Sequence, residues 1–278
     1  MVAEGTEIQY AWGTWNPWQG CTKKRPLLGC QNCYMWREKR WHGQDPARVV
    51  RSADSTFRAP LRWARQWKPG SGEWRALSCS WSDFFHPAAD EWREEAWAIM
   101  RTTAITAPGL FYLVLTKWPE RIQGCLPADW GDGYANVVLM VTIESPEVVP
   151  DMDILRGVPA LLRGVSCEPL LGDLGHLDLS GFGWLVDGGE SGPVARPADH
   201  EWFHSLRRQA LDAGIPYFHK QNGGNRKVNG AWGGRELEGS TWGGVQELLP
   251  LALEHQARAL EKSRTAWLRW FAQVQVER

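Results

Sequence analysis

Asn136-Val137-Val138-Leu139-Met140-Val141-Thr142-Ile143-Glu144 is apolar at almost every position and turns polar at its end. A strand with one wet face alternates apolar and polar residues, whereas a continuous apolar run of this length belongs to a strand covered on both faces, as in parallel sheets. Similar runs occupy Arg75 to Cys79, Leu110 to Thr116, Leu162 to Cys167, Gly183 to Asp187 and Pro216 to Lys220. Helical patterns lie between and beside them. Cys33 to Trp41 is one; Ala89 to Thr103 carries Trp92, Ala96, Ile99 and Met100 on one face; Asp199 to Ala213 carries Trp202, Phe203, Leu206 and Ala210, with Gly214 as the stop. Strands and helices alternating through short connections predict an α/β fold with a parallel sheet, and six or more repeats let it curl into a full or partial (β/α) barrel.

In such folds ligands sit at the carboxyl ends of the strands. Polar residues follow each run: Ser78, Ser80, Ser82 and Asp83; Thr116 and Lys117; Thr142 and Glu144; Ser166 and Glu168; Asp187, Glu190 and Ser191; His219, Lys220 and Gln221. Six such groups in register predict one shared site. Gly188-Gly189-Glu190-Ser191-Gly192 suits a phosphate cradle of backbone N–H groups, with Arg196 and Lys220 supplying charge, although no P-loop lysine follows it.

Cys21, Cys30 and Cys33 gather near the start of the chain, in Trp15-Asn16-Pro17-Trp18-Gln19-Gly20-Cys21 and Gly29-Cys30-Gln31-Asn32-Cys33-Tyr34. Three thiolates on one loop make a metal site with one open position. A structural zinc closes its tetrahedron with a fourth protein ligand, for which His42 is the candidate, whereas an iron–sulfur cubane on three cysteines leaves one iron free. Spacings of eight and two residues do not by themselves separate the two. Cys79, Cys125 and Cys167 lie in or beside apolar segments and read as small buried residues.

Around these cysteines the chain resembles the phage-associated three-cysteine proteins, a radical S-adenosylmethionine-like family long catalogued as of unknown function. The resemblance continues through Ser80-Trp81-Ser82-Asp83-Phe84-Phe85-His86, Leu115-Thr116-Lys117-Trp118-Pro119-Glu120-Arg121, Val165-Ser166-Cys167-Glu168-Pro169-Leu170-Leu171-Gly172, Gly188 to Gly192 and Lys220-Gln221-Asn222-Gly223-Gly224, over about residues 8 to 245. It implies a partial barrel of the radical S-adenosylmethionine type and a [4Fe–4S] cluster on Cys21, Cys30 and Cys33. S-adenosylmethionine would bind the free iron, with Tyr34, Ser80, Ser82, Asp83 and Glu144 around it. Lys117, Cys167, Glu168 and Lys220 are then expected to be catalytic, Cys167 as hydrogen-atom donor or else as a structural thiol. Glu190, Ser191, Arg196, His219 and Gln221 are expected on the substrate. The implied reaction is isomerisation of an amino-acid-substituted thymidine, such as a glycyl adduct, in phage DNA. The implied reductant is an electron donor such as flavodoxin or ferredoxin. Repair of a DNA lesion by a lyase is the alternative within enzymes; a zinc-stabilised nucleic-acid-binding module is the alternative outside them.

The length of 278 residues and a 43% hydrophobic content are ample for one large domain, taken here as residues 1–245, with a helical extension over 246–278. No signal-peptide pattern or membrane-length apolar run appears, so a cytoplasmic location is expected, the host cytoplasm if the gene is a phage's, with cysteines reduced. Thr22 to Lys68 holds twelve basic and three acidic residues, a net +9 in a chain of net charge −1. Interleaved with Trp36, Trp41, Trp63 and Trp67, this segment reads either as a nucleic-acid grip or as a solvated basic face. Asn222 to Gly244 is rich in turn signals and predicts a loop or small hairpin over one end of the sheet. Val245 to Gln275 reads as an amphipathic helix broken at Pro250.

Overall fold

The computed structural model describes residues 3–24 and 28–244. The chain opens with β1 (Ala3–Glu4), β2 (Gly13–Trp15) and β3 (Trp18–Gln19), passes the cysteine loop and enters α1 (Tyr34–Trp41). After β4 (Val50–Arg51) come α2 (Asp54–Phe57), α3 (Ala59–Gln66), β5 (Trp74–Ser78), α4 (Asp90–Thr106), β6 (Leu110–Thr116) and α5 (Pro119–Ile122). The second half runs β7 (Val137–Thr142), α6 (Asp151–Arg156), β8 (Leu162–Cys167), β9 (Trp184–Asp187), α7 (His200–Asp212) and β10 (Tyr217–His219). Two small hairpins follow, β11 (Lys227–Val228) with β12 (Ala231–Trp232), and β13 (Glu236–Leu237) with β14 (Ser240–Thr241).

Eight strands form the main sheet in the order β1-β2-β5-β6-β7-β8-β9-β10. β1 is antiparallel to β2, and the remaining seven run parallel, curled into a half-barrel. All six expected strands are present within a residue or so of their expected ends. The first parallel strand, β2, was not legible, because three residues bounded by a turn carry no periodicity.

Burial on both faces explains the unbroken apolar runs. In β7, Val137, Leu139 and Val141 pack into the cluster beneath the helices, while Val138 and Met140 pack into a second cluster on the inner face. Tyr112 and Val114 of β6 face the helices, and Phe111 and Leu113 face inward. The inner face is filled by the chain's own beginning: Tyr10 makes edge-on contacts with Trp184 at 5.7 Å and Phe218 at 5.5 Å.

α4 continues three residues past its expected end, to Thr106, and stops before Pro108, whose ring disfavours helical geometry in the preceding residue. α7 begins at the Asp199 cap, whose carboxylate accepts the Glu201 N–H at 3.0 Å, and ends before Gly214 at φ +67. The many tryptophans are largely core: Trp15, Trp18, Trp63, Trp97 and Trp184 are essentially inaccessible. No helix among the described residues is long and apolar enough to cross a membrane. The expected helical extension after residue 245 lies outside the described residues.

Candidate active site

At the carboxyl end of the half-barrel lies a cavity of about 500 Å³. Cys21, Cys30 and Cys33 line it together with Ser78, Ser80, Ser82, Asp83, Thr116 and Lys117 from the first strands. Glu168, Glu190, Ser191, Lys220 and Gln221 line its other side. The N-terminal stretch Thr6 to Tyr10, with Lys227, Gly230 and Trp232 of the first hairpin, completes the wall.

The cysteine loop is held from several sides by its backbone. Gly20 N–H donates to the Trp81 carbonyl at 2.9 Å and Cys21 N–H to Pro46 at 3.0 Å, while the Trp36 indole donates to the Cys21 carbonyl at 3.0 Å. Gly29 N–H donates to Glu144 Oε1 at 2.7 Å, and Lys117 forms an ion pair with the same carboxylate. Lys24 Nζ donates to the Lys117 carbonyl at 2.7 Å. On the far side, Asn32 Nδ2 donates to Glu190 Oε2 at 3.0 Å, and Arg196 clamps both Glu190 and the Leu28 carbonyl, at 2.6 and 2.8 Å.

These contacts relocate several expected roles. Glu144 and Arg196 do not line the cavity: both bond the backbone of the cysteine loop. Cys167 ends β8 on the helical side, fully buried in the core, because neighbouring residues of a strand face opposite ways. It therefore does not reach the cavity as a hydrogen-atom donor would need to. His219 is also fully buried, bonded through Nδ1 to Asp187 at 2.7 Å and through Nε2 to Asn222 Oδ1 at 3.1 Å. Asn222 in turn donates to the Gly233 carbonyl at 3.1 Å, so this chain of bonds anchors the first hairpin.

Of the residues that do face the cavity, Asp83 joins two strand ends. Its carboxylate accepts from Phe85 N–H at 2.9 Å, Thr116 Oγ1 at 2.7 Å and Lys117 N–H at 2.8 Å, tying the turn after β5 to the end of β6. Burial nonetheless pushes its pKa up. The Tyr34 hydroxyl donates to the Ser80 carbonyl, and Lys220 pairs with Glu168. Asn16, missed in the sequence, is buried beneath the site, where its Oδ1 accepts the Trp81 N–H at 2.8 Å.

The donor set fits a cluster-bound cofactor. Burial pushes the Cys21 thiol up, and nearby Asp83, Cys30 and Cys33 add to the rise; crowded thiolates of this kind are relieved by a metal centre. Ser78 Oγ, in the cavity wall, is buried and has no hydrogen-bond partner. A polar ligand would supply one. Among the described residues, no three His, Cys, Asp or Glu side chains form a group that could hold a single ion.

Of the basic segment only its first part, from Thr22 to Met35, contributes to this wall, with Lys24 as its one cation there among the described residues. Among the described residues, none from Trp36 to Arg75 lines the cavity. Trp63 and Trp67, expected as stacking surfaces, are buried in the core. Arg51 and Arg58 share Glu95, each at 2.9 Å, and Lys24 pairs with Glu120 at 2.7 Å.

A family profile described as "Protein of unknown function (DUF5131)" matches residues 5–246. No curated protein matches the sequence. Two solved structures of spore photoproduct lyase are similar in part, one a mutant with bound AdoMet and dinucleoside spore photoproduct, the other complexed with dinucleoside spore photoproduct. Their identities to this chain are 12% and 10%, each with a TM-score of 0.47 over 76% of this chain and 64% of that one. The chain thus spans less than two thirds of their length.

Proposed function

The chain belongs to the DUF5131 family, and from the geometry of its cavity we propose that it is a radical S-adenosylmethionine enzyme acting on an amino-acid-substituted thymidine in DNA. One observation carries the reading: Cys21, Cys30 and Cys33 line the same cavity as the polar ends of the parallel strands, and among the described residues no histidine lines it with them. Cys21, Cys30 and Cys33 would hold a [4Fe–4S] cluster, which would supply one-electron reduction of S-adenosylmethionine and so radical chemistry at the substrate.

The chain's own residues bind, orient and exclude water. Ser78, Ser80, Ser82 and Tyr34 form the wall beside the cysteines, where the methionine and adenosine parts of the cofactor would lie. Asp83 keeps that wall joined to β6. The Glu168–Lys220 pair, opposite, presents one negative and one positive group to the substrate, matching the ammonium and carboxylate of an amino-acid substituent. Glu190, Ser191 and Gln221 border that side. The rearrangement breaks the bond from thymine methylene to amino-acid nitrogen and forms one to the α-carbon, while the α-hydrogen ends on nitrogen. Atoms balance, and no net oxidant is consumed.

Anaerobic reconstitution with iron and sulfide tests the reading. The expected protein is brown, with a reduced-cluster paramagnetic signal altered by S-adenosylmethionine, and converts glycyl-substituted thymidine to its carbon-linked isomer. A colourless protein with stoichiometric zinc would refute the enzyme; cofactor cleavage with a dimer lesion as substrate would redirect it to repair.

A further inference from the structure

The geometry points to the first hairpin, residues 222–232, as the nucleic-acid grip: Trp232 stacks on a base at the cavity mouth, and Arg226 and Lys227 neutralise the flanking phosphates. The inference rests on the nucleic-acid reading above and moves its contact surface away from the Thr22 to Lys68 segment.

Charge and position agree. From Lys220 to Arg235 the chain carries four basic side chains and no acidic one. Lys227, Gly230 and Trp232 line the cavity directly, whereas Arg58, Arg62 and Arg65 do not. Within the hairpin region the cations divide into two kinds. Arg235 donates to the His219 carbonyl at 3.1 Å and lies over Phe218, and Lys220 is engaged with Glu168, so both serve the fold or the reacting end of the site. Arg226 and Lys227 are exposed.

The partner of Lys227 is Glu7 at 2.7 Å, and the Glu7 side chain is 83% exposed. Pairs so open to water are weak, and a phosphate can replace the carboxylate. The Lys227 ammonium also lies 5.6 Å from the Trp232 ring centroid, which sets a cation beside an aromatic surface as a nucleotide's phosphate is set beside its base. A base that must enter the cavity has left its stack, so the ligand is a single-stranded or flipped nucleotide.

The hairpin is fixed firmly enough to do this. Asn222 N–H donates to the Gly234 carbonyl at 2.9 Å, Gly223 N–H to Trp232 at 2.9 Å and Gly224 N–H to Glu190 at 2.7 Å. Gly189 allows the approach, since a Cβ there would lie 2.9 Å from Gly223 Cα and closer still to the Asn222 backbone.

Binding of an oligothymidylate strand, measured across a salt series, tests the assignment. For the double variant Arg226→Gln/Lys227→Gln, the slope of log affinity against log salt should fall by about 1.4, at ~0.7 per single-strand phosphate. Trp232→Ala should weaken binding about tenfold with the slope kept. Glu7→Gln should strengthen binding at low salt. Arg62→Glu/Arg65→Glu should leave affinity and slope unchanged, with circular dichroism confirming that each variant is folded. If the exposed Arg226 and Lys227 substitutions leave the slope at its wild-type value while Arg62→Glu/Arg65→Glu flattens it, the hairpin assignment is overturned and the nucleic-acid reading stands. If the wild-type protein shows no salt-dependent binding yet cleaves S-adenosylmethionine with a small metabolite, the nucleic-acid reading itself fails and this inference with it.

Discussion

A single methyl group at Gly29 tests how the cysteine loop is held. A Cβ there would lie 2.9 Å from Glu144 Cδ, 3.1 Å from Pro169 Cδ and closer still to Glu144 Oε2, well inside van der Waals contact. Glu144 cannot swing away without loss: its side chain is 2% exposed, it accepts the Gly29 N–H at 2.7 Å, and it carries the Lys117 ion pair. Overpacking of this kind costs about 1–3 kcal/mol. Because Cys30 is the next residue, relief by moving the loop displaces a cluster ligand. Gly29→Ala should therefore lower the urea midpoint of the metal-free protein and reduce iron bound after anaerobic reconstitution. Glu144→Ala alone should cost about 3 kcal/mol, since it strands a buried N–H and removes the partner of a largely buried Lys117. In the double variant the methyl fills space the carboxylate has left, so the loss should be smaller than the sum of the two single losses. Wild-type iron content and urea midpoint in Gly29→Ala, or strict additivity in the cycle, would refute this account of the loop.

Cys30→Ala should abolish iron loading and formation of 5′-deoxyadenosine, whereas Cys125→Ala should leave iron content unchanged, as elemental analysis will read. Asp83→Ala strands three donors and should destabilise the fold by about 3 kcal/mol in urea. It should also weaken S-adenosylmethionine in calorimetry while keeping iron. Asp90 gives a pH test: despite partial burial, bonds from Arg93 and Arg121 hold its carboxyl below the usual value of 3.8. A depressed folded pKa contributes stability above the unfolded value that is lost as pH falls through the folded one. Asp90→Asn should thus be less stable than wild type at neutral pH and converge with it in acid, as thermal denaturation across pH will show.

Much of the architecture was legible because its cause is local. Apolar runs such as Val137 to Ile143 need two dry faces, which a parallel sheet under helices provides, and the polar residue after each run marks the end where ligands gather. The three cysteines were legible as a cluster, but their place at that end was implied only by the resemblance, since the short β2 leading toward them was not legible. What the sequence could not convey is where a charged side chain spends its charge. Glu144 and Arg196 look like ligand contacts when read as strand-end residues, and tertiary packing turns both onto the cysteine loop. Trp63 and Trp67 look like stacking surfaces among basic neighbours, yet the helix that carries them packs them into the core. Tyr10 and Trp232 stood out in no motif, and reach the barrel interior and the cavity wall only because the fold brings residues 6–10 beside the first hairpin. The sequence by itself determined the parallel sheet under helices and the three clustered cysteines, since periodicity and residue chemistry are properties of short segments. The tertiary structure decided which polar groups remain available to a ligand, since that depends on partners more than a hundred residues away, as between Gly29 and Glu144.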